Sequence, residues 1–184
     1  MDVFYQKHFN KTDVLEKAEY EACVFEACDF SDQSLNGMVF IDCEFVNCNL
    51  SNANIHQTAF QHVRFSTCKL MGLHFNQANR FSFEVAFYET ILDFSSFSGC
   101  NLKNGKFNKC SLASVDFTES NLTGVVLKEC ELKNAVFEQS NLEKADFTTA
   151  SNFAIHPERN RIKKAQFSAE NLQGLLYPYQ IIVK

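Results

Sequence analysis

The fold of this chain is decided by residues Val85–Phe147, which read VAFYETILDFSSFSGCNLKNGKFNKCSLASVDFTESNLTGVVLKECELKNAVFEQSNLEKADF. From Phe87 onward, every fifth residue of this stretch is large and apolar without exception. A helix has a period of 3.6 residues and a flat strand a period of two, so neither explains the pattern. A strict short repeat is typical of a solenoid, in which each structural unit stacks on the next. The thirteen repeat centres are Phe87, Leu92, Phe97, Leu102, Phe107, Leu112, Phe117, Leu122, Leu127, Leu132, Phe137, Leu142 and Phe147.

The same pattern fills an earlier block, residues 18–75, and continues with interruptions to residue 167. We therefore divide the single domain into an N-terminal cap (1–17), a first coil block (18–75), a register break or small loop (76–86), a second coil block (87–167) and a C-terminal cap (168–184). An irregular excursion (152–161) interrupts the second block. The centres of the first block are Tyr20, Phe25, Phe30, Leu35, Phe40, Phe45, Leu50, Ile55, Phe60, Phe65, Leu70 and Phe75.

The centres also predict how many repeats make one coil. In the second block Phe and Leu alternate almost throughout, the exception being Leu127, so a coil of four repeats, or twenty residues, stacks Phe97 on Phe117 and Leu102 on Leu122. A coil of three repeats stacks Phe on Leu instead. The sequence therefore predicts a four-sided β-solenoid whose coils lie about 4.8 Å apart, which is the usual spacing between neighbouring strands.

All eight cysteines stand two residues before a centre, in a position otherwise held by small or slim residues. A chain with this many cysteines commonly forms disulfides or binds zinc. The short Cys-x-x-Cys spacing of a zinc site is absent, and stacked parallel side chains suit a disulfide poorly. We interpret the cysteines as buried free thiols that act as small apolar residues, and we expect no metal and no cofactor.

The repeats resemble the A(D/N)LXX motif of pentapeptide-repeat proteins, as in Ser140–Lys144 (SNLEK) and Ala145–Thr149 (ADFTT). The resemblance covers about residues 18–172. It implies an all-β, right-handed quadrilateral β-helix, which is often dimeric through its C-terminal end. One subgroup, the quinolone-resistance proteins, resembles B-DNA in width and charge and binds DNA gyrase or topoisomerase IV. Some of its members carry long projecting loops, whereas this chain has only the short break around Asn79, Arg80 and Phe81, which disfavours a mechanism that depends on loops.

Charge is unevenly distributed along the sequence, whose net charge is −5. Between Ala18 and Val63 there are seven acidic residues and no Lys or Arg. One interpretation is an acidic surface for a basic groove built to hold nucleic acid; the other is a solvated face that keeps the protein soluble. A dimer joined at its C-terminal ends places the acids at its distal tips, which disfavours the first interpretation. The seven residues are Glu19, Glu21, Glu26, Asp29, Asp32, Asp42 and Glu44.

Several function classes are disfavoured by the sequence. A negative net charge argues against direct binding of nucleic acid, and no apolar run approaches the length of a membrane span. The N-terminus is unlike a signal peptide, so we expect a cytoplasmic protein. We find no phosphate loop or nucleophile elbow, and a filled solenoid lacks the usual cleft. We interpret the five histidines as surface residues, although His56 and His74 lie on the same side of successive coils.

The C-terminal segment is too apolar to be fully exposed. Ser168 and Gly174 predict the start and stop of a short helix, followed by a β-prone stretch, Tyr177–Val183. Because an open solenoid end aggregates unless it is covered, we expect a cap that also forms a homodimer contact. Its contact residues are Leu172, Leu175, Leu176, Tyr177, Tyr179, Ile181 and Ile182.

Together these features predict a binding protein that is not an enzyme, with a protein partner. The sharper hypothesis is a DNA-mimicking ligand of DNA gyrase or topoisomerase IV that protects against quinolones. The alternative is a general protein-interaction or structural scaffold whose partner the sequence does not identify.

Overall fold

A computed structural model describes residues 2–12 and 14–181. Its strands are short and pair in parallel, and the predicted β-solenoid is confirmed. The strands of the described residues are β1 (Asp2–Tyr5), β2 (His8–Asn10), β3 (Ala18–Glu21), β4 (Val24–Glu26), β5 (Val39–Ile41), β6 (Glu44–Val46), β7 (Ala59–Gln61), β8 (Val63–Ser66), β9 (Val85–Tyr88), β10 (Lys106–Asn108) and β11 (Val126–Lys128). Their helices are α1 (Gln173–Leu176) and 3-10 turns at Phe75–Gln77, Ala169–Asn171 and Tyr177–Tyr179.

Two of the four sides contain regular strands. Face 1 is the sheet β1-β3-β5-β7, and face 2 is the seven-stranded sheet β2-β4-β6-β8-β9-β10-β11. Tyr20 pairs with Phe40 and Phe40 with Phe60, which confirms the coil of twenty residues.

The other two sides are held by single-residue bridges. Face 3 follows the bridges Asp29–Asn49–Lys69–Ile91–Ser111–Glu131–Ser151. Face 4 follows Ser34–Asn54 and, in the later coils, His74–Ser96–Asp116–Val136.

The repeat centres fill the axis as continuous columns. On face 2, Phe25 stacks on Phe45 with ring centroids 4.5 Å apart, Phe45 on Phe65 at 5.0 Å and Phe65 on Phe87 at 5.5 Å. On face 4, Phe75 stacks on Phe97 at 4.5 Å. These rings are fully buried, and each offset-stacked pair adds about 0.5–1.5 kcal/mol beyond the burial of apolar area. The large number of phenylalanines therefore serves the core.

In several coils the position two residues before the centre holds a small hydrogen-bond donor. The Cys43 thiol donates to the carbonyl of Tyr20 in the preceding coil, at 3.2 Å. Thr58 and Ser95 do the same to Leu35 and Leu70, both at 2.8 Å. All eight cysteines are buried and free, as predicted, but the sequence interpretation treated them only as small apolar groups and missed this hydrogen bond.

The corners between faces are tight turns with a left-handed residue. The second residue after most centres has φ between +51° and +70°, as at Asp42 (+52°), Gly72 (+70°) and Phe94 (+64°). Asn and Gly tolerate this conformation, whereas a bulky residue such as Phe rarely adopts it. Each coil can therefore turn four times within twenty residues.

The N-terminal segment continues the solenoid. Strand β1 pairs with β3 and β2 with β4, and Phe4 stacks on Tyr20 with centroids 5.2 Å apart. Residues 2–12 thus form part of a coil that covers the rings of the next one.

The register break adds two residues to one coil. Val63 pairs with Val85, and His74 with Ser96, so the offset between coils is 22 residues here instead of 20. The 3-10 turn Phe75–Gln77 and a short loop absorb the extra length. After the break, the twenty-residue register returns.

A helical segment closes the C-terminal end. The predicted helical segment begins after Ser168, as the 3-10 turn Ala169–Asn171, but it continues past Gly174, which lies inside α1 and is buried. Tyr177–Tyr179 is a 3-10 turn where the β-prone stretch was predicted. A Cβ atom on Gly174 would lie 2.6 Å from Cδ2 of Phe153, and Ile155 N–H donates to the Gly174 carbonyl at 2.9 Å. Glycine is required here because the helix packs directly on the last coil, so its role is close approach and not a helix stop.

Candidate interaction surfaces

Five of the seven predicted acidic residues lie around one corner of the solenoid. Glu19 and Glu21 lie on β3 of face 1, Glu26 and Glu44 on β4 and β6 of face 2, and Asp42 on the turn between these faces. We call these five residues the acidic corner. They are half-buried or exposed, so their carboxylates are available at the surface of the first coils.

The structure does not bring the other two acids to this corner. Asp29 bridges Asn49 on face 3, and Asp32 follows on the turn from face 3 to face 4. The Ser31 hydroxyl donates to Asp29 at 2.6 Å and lowers the pKa of that carboxyl. Asp29 thus stabilises its own turn, and the seven acids do not form one face.

Basic side chains lie against the acidic corner. His8 Nε2 lies 3.0 Å from Glu26, and Arg64 Nη1 lies 3.9 Å from Glu44. His62 lies between two acids, with Nδ1 3.3 Å from Asp42 and Nε2 3.3 Å from Glu84. All these side chains are exposed to solvent, so each pair contributes at most about 1 kcal/mol to stability.

The sequence interpretation missed the roles of His8, His62, Arg64 and Glu84. Two of these contacts could be predicted from the coil length, because His62 follows Asp42 by twenty residues and Arg64 follows Glu44 by twenty. Pairing each acid with the residue one coil later identifies both contacts. The His62–Glu84 pair spans 22 residues and requires the position of the break, which the sequence alone does not provide.

The predicted loop residues lie at the corner between faces 4 and 1. Phe81 N–H donates to Asn79 Oδ1 at 2.9 Å, which closes a short turn. The Arg80 guanidinium approaches Gly99, and the Phe81 ring is 74% exposed. Arg and Phe are both enriched in protein interfaces.

The C-terminal end presents apolar surface. Leu172, Tyr177, Tyr179 and Ile181 are exposed, Leu176 is half-buried, and Leu175 packs against the core. Ile182, the seventh predicted contact residue, lies outside the described residues. A cleft of about 970 Å³ lies beside α1 and is lined by α1 and by residues of the preceding coils, among them Lys133, Thr149 and Ser151. Most of the predicted dimer surface is therefore accessible.

Two of the buried thiols are held strongly in their protonated form. Burial raises the pKa of Cys43 to about 12 and that of Cys100 to about 11. In the part of the chain that the structure describes, no three His, Cys, Asp or Glu residues lie close enough to hold a metal ion. Within the same residues, no helix is long and apolar enough to cross a membrane.

The comparison with protein families agrees with this geometry. A family model described as a pentapeptide repeat region matches residues 18–93 and 90–167. These ranges span most of the 184 residues, so the chain belongs to the pentapeptide repeat family. The resemblance found in the sequence is thereby confirmed. No curated protein matches the chain.

Solved structures of other pentapeptide repeat proteins are similar in fold. A trypsin-treated form of QnrB1, a plasmid-mediated fluoroquinolone resistance protein, is 18% identical; the match covers 100% of this chain and 98% of that one, with a TM-score of 0.50. HetL, involved in heterocyst differentiation regulation in the cyanobacterium Nostoc sp. strain PCC 7120, is 12% identical over 91% of this chain and 86% of that one, with a TM-score of 0.44. At 18% identity, the likeness to QnrB1 shows the fold alone.

Proposed function

We propose that this chain is a cytoplasmic, non-enzymatic binding protein that uses its acidic corner to contact a basic protein surface. The observation that carries the proposal is the clustering of Glu19, Glu21, Glu26, Asp42 and Glu44 around one corner, in a segment without Lys or Arg from Ala18 to Val63. Like-signed carboxylates on a rigid scaffold steer and orient a partner of opposite charge.

The finer proposal is that the partner is DNA gyrase or topoisomerase IV and that binding protects the enzyme from quinolones. The grooves of these enzymes bind DNA, so they present positive charge that an acidic rod complements. The fold likeness to QnrB1, a fluoroquinolone resistance protein, supports this choice. Because the break adds only two residues, the coil surface and not a long loop makes the proposed contact.

The experiment is a gyrase supercoiling assay with a fluoroquinolone, with and without the purified protein. Relief of drug inhibition, or direct inhibition at higher protein concentration, is the expected result. The test variant combines Glu19→Lys, Glu21→Lys and Asp42→Lys, which reverses the acidic corner. We expect it to lose the effect at least tenfold, and we expect wild-type binding to weaken steeply with added salt.

A matched control carries three charge reversals on the second coil block: Asp116→Lys, Glu119→Lys and Glu138→Lys. It has the same net charge as the test variant, so retained activity assigns the effect to the corner and not to overall charge. If wild-type protein has no effect on gyrase or topoisomerase IV at micromolar concentration, the topoisomerase proposal is wrong. The scaffold alternative then stands, and its partner is sought by affinity capture.

We also propose that the C-terminal end forms a homodimer. Leu172, Tyr177, Tyr179 and Ile181 expose apolar surface at the end where the coils stop, and burying it against a second copy removes that surface from water. Light scattering should give about twice the mass of one chain, and Tyr177→Ser with Ile181→Ser should give a single chain. A wild-type monomer at high concentration contradicts the dimer.

A further inference from the structure

Face 4 carries a surface without charged side chains. The outward residues at positions 34, 36, 54, 56, 74, 76, 96 and 98 are all Ser, Asn or His, and all are exposed or half-buried. We call these eight positions the neutral strip. Beyond it, face 4 becomes charged, beginning with Asp116 and continuing with Glu138.

Two backbone hydrogen bonds between neighbouring coils are missing in the middle of the neutral strip. Elsewhere on this face, Leu35 N–H donates to the Asn54 carbonyl at 2.9 Å, and Asn54 N–H to the Gln33 carbonyl at 2.8 Å. The equivalent bonds one coil later, from Ile55 to His74 and from His74 to Ala53, do not form between these described residues. The His74 carbonyl accepts from Gln77 at 3.0 Å instead.

The two missing hydrogen bonds leave backbone groups without a backbone partner at a cleft. Two donors, Ile55 N–H and His74 N–H, and one acceptor, the Ala53 carbonyl, have no backbone partner among the described residues. Ile55 is only 2% exposed, and buried backbone N–H groups are almost always hydrogen-bonded to protein, water or ligand. A polar group in the cleft, from water or from a ligand, can therefore pair with these backbone groups.

The cleft is large enough for a small ligand. Its volume is about 320 Å³, and Asn52, Asn54, Gly72, His74 and Gln77 contribute to its lining. One water occupies about 30 Å³ of liquid, so the volume exceeds that of a single bridging water roughly tenfold. It lies at the lower end of the range of small-molecule sites, about 300–1,000 Å³.

An exposed aromatic ring stands beside the cleft. Gly72, which lines the cleft, donates its N–H to the carbonyl of Asp93 at 3.0 Å, so Phe94 lies on the next coil along the same corner. Phe94 is 63% exposed and has φ of +64°. Neither solvent exposure nor this backbone conformation favours a phenylalanine, so its ring is not explained by folding.

We propose that the neutral strip binds a neutral oligosaccharide, with one sugar residue seated in the cleft. Charge complementarity selects this class, because the lining is uncharged while both signs of charge are common elsewhere on the surface. A sugar hydroxyl both donates and accepts, and so pairs with the Ile55 N–H and the Ala53 carbonyl together. The Phe94 ring offers an apolar surface for the C–H face of a neighbouring sugar. Each successive coil adds amide or hydroxyl side chains, which can form hydrogen bonds to further sugars of the same ligand.

The experiment titrates the intact protein with maltohexaose, cellohexaose and chitohexaose and follows backbone amide signals by NMR. At least one sugar should shift the Ile55 and His74 signals in a saturable way. Phe94→Asn should weaken that binding at least tenfold, and it should not unfold the protein because asparagine tolerates a positive φ. The control is Gln139→Asn, an exposed turn residue with φ of +55° on a different corner, which should bind like wild type.

Two results overturn the proposal. One is that none of the three sugars shifts the cleft amides at millimolar concentration. The other is that N-acetylglutamine amide, which mimics a glutamine residue of a protein, shifts the NMR signals of Ile55 and His74 while the sugars do not. That result would mean that the cleft binds a protein side chain. Neither result depends on topoisomerase binding, since the acidic corner lies on other faces.

Discussion

Faces 2 and 4 respond differently to the same two-residue insertion. On face 2, β8 pairs with β9 along four residues, from Val63–Val85 to Ser66–Tyr88, and the phenylalanine column continues without a gap. On face 4, the coil before the break loses two hydrogen bonds to His74. The insertion follows Phe75, so the 3-10 turn at Phe75–Gln77 draws the His74 carbonyl away from Ile55. The lesson is that a solenoid confines an insertion to the sides next to it and restores its register within one coil.

The largest expected effect contrasts the two faces in the core. Phe65→Ala on face 2 should lower the free energy of unfolding by about 3–5 kcal/mol, because it removes a ring stacked between Phe45 and Phe87. Ile55→Ala on face 4 should cost less, about 2 kcal/mol, because the neighbouring cleft lets water or side chains fill the space. Urea unfolding of both variants measures the difference. Equal losses would show that face 4 is packed as tightly as face 2.

The next prediction removes the difference between the faces. Deleting Arg80 and Phe81 restores the twenty-residue coil, so Ile55 and His74 should regain their ladder bonds. Two recovered backbone hydrogen bonds should raise stability by about 1–2 kcal/mol. Hydrogen exchange of the Ile55 and His74 amides should slow at least tenfold, while exchange on face 2 changes little. Unchanged exchange at both amides would contradict the proposed cause of the two missing hydrogen bonds.

The coil length and columns were predictable because every centre obeys the same rule: a large apolar residue faces the axis. The acidic corner was predictable only in part, since Asp29 and Asp32 fall on other sides once each repeat is assigned to a face. The cleft was not predictable. The sequence shows that two residues are added near residue 80, but the choice between a 3-10 turn at Phe75 and a longer loop depends on competing hydrogen bonds that no periodicity records.

Alkaline pH should lower the stability of the protein through a buried thiol on face 2 that has no counterpart on face 4. Cys43 precedes the face 2 centre Phe45, whereas no cysteine stands in the equivalent position on face 4. Burial raises the pKa of Cys43 from 9.0 to about 12. The unfolded thiol therefore ionises first, so this contribution to stability is complete below pH 9 and is lost as the pH rises towards 12.

Between pH 9 and pH 10 this loss is about 1 kcal/mol for one such thiol. Urea unfolding of wild type and Cys43→Ser at both pH values measures it, because serine keeps a hydroxyl donor without ionising in this range. The variant should show a smaller decrease than wild type. An identical decrease in both proteins would mean that Cys43 is accessible to solvent.

The smallest expected effect concerns the corner beside the cleft. Phe94→Asn should raise the free energy of unfolding by about 0.5–1 kcal/mol, because asparagine adopts the left-handed conformation at lower cost than phenylalanine and the exposed ring loses little contact. The matched change on the corner that follows face 2, Lys109→Asn at φ of +55°, should alter stability less, since the long lysine chain covers neighbouring surface. If Phe94→Asn destabilises the protein, then the ring supports the coil and its exposure does not indicate a ligand platform. If it stabilises the protein and abolishes sugar binding, then Phe94 lowers the stability of face 4 but is needed for its binding site. Face 2, by contrast, keeps a continuous sheet.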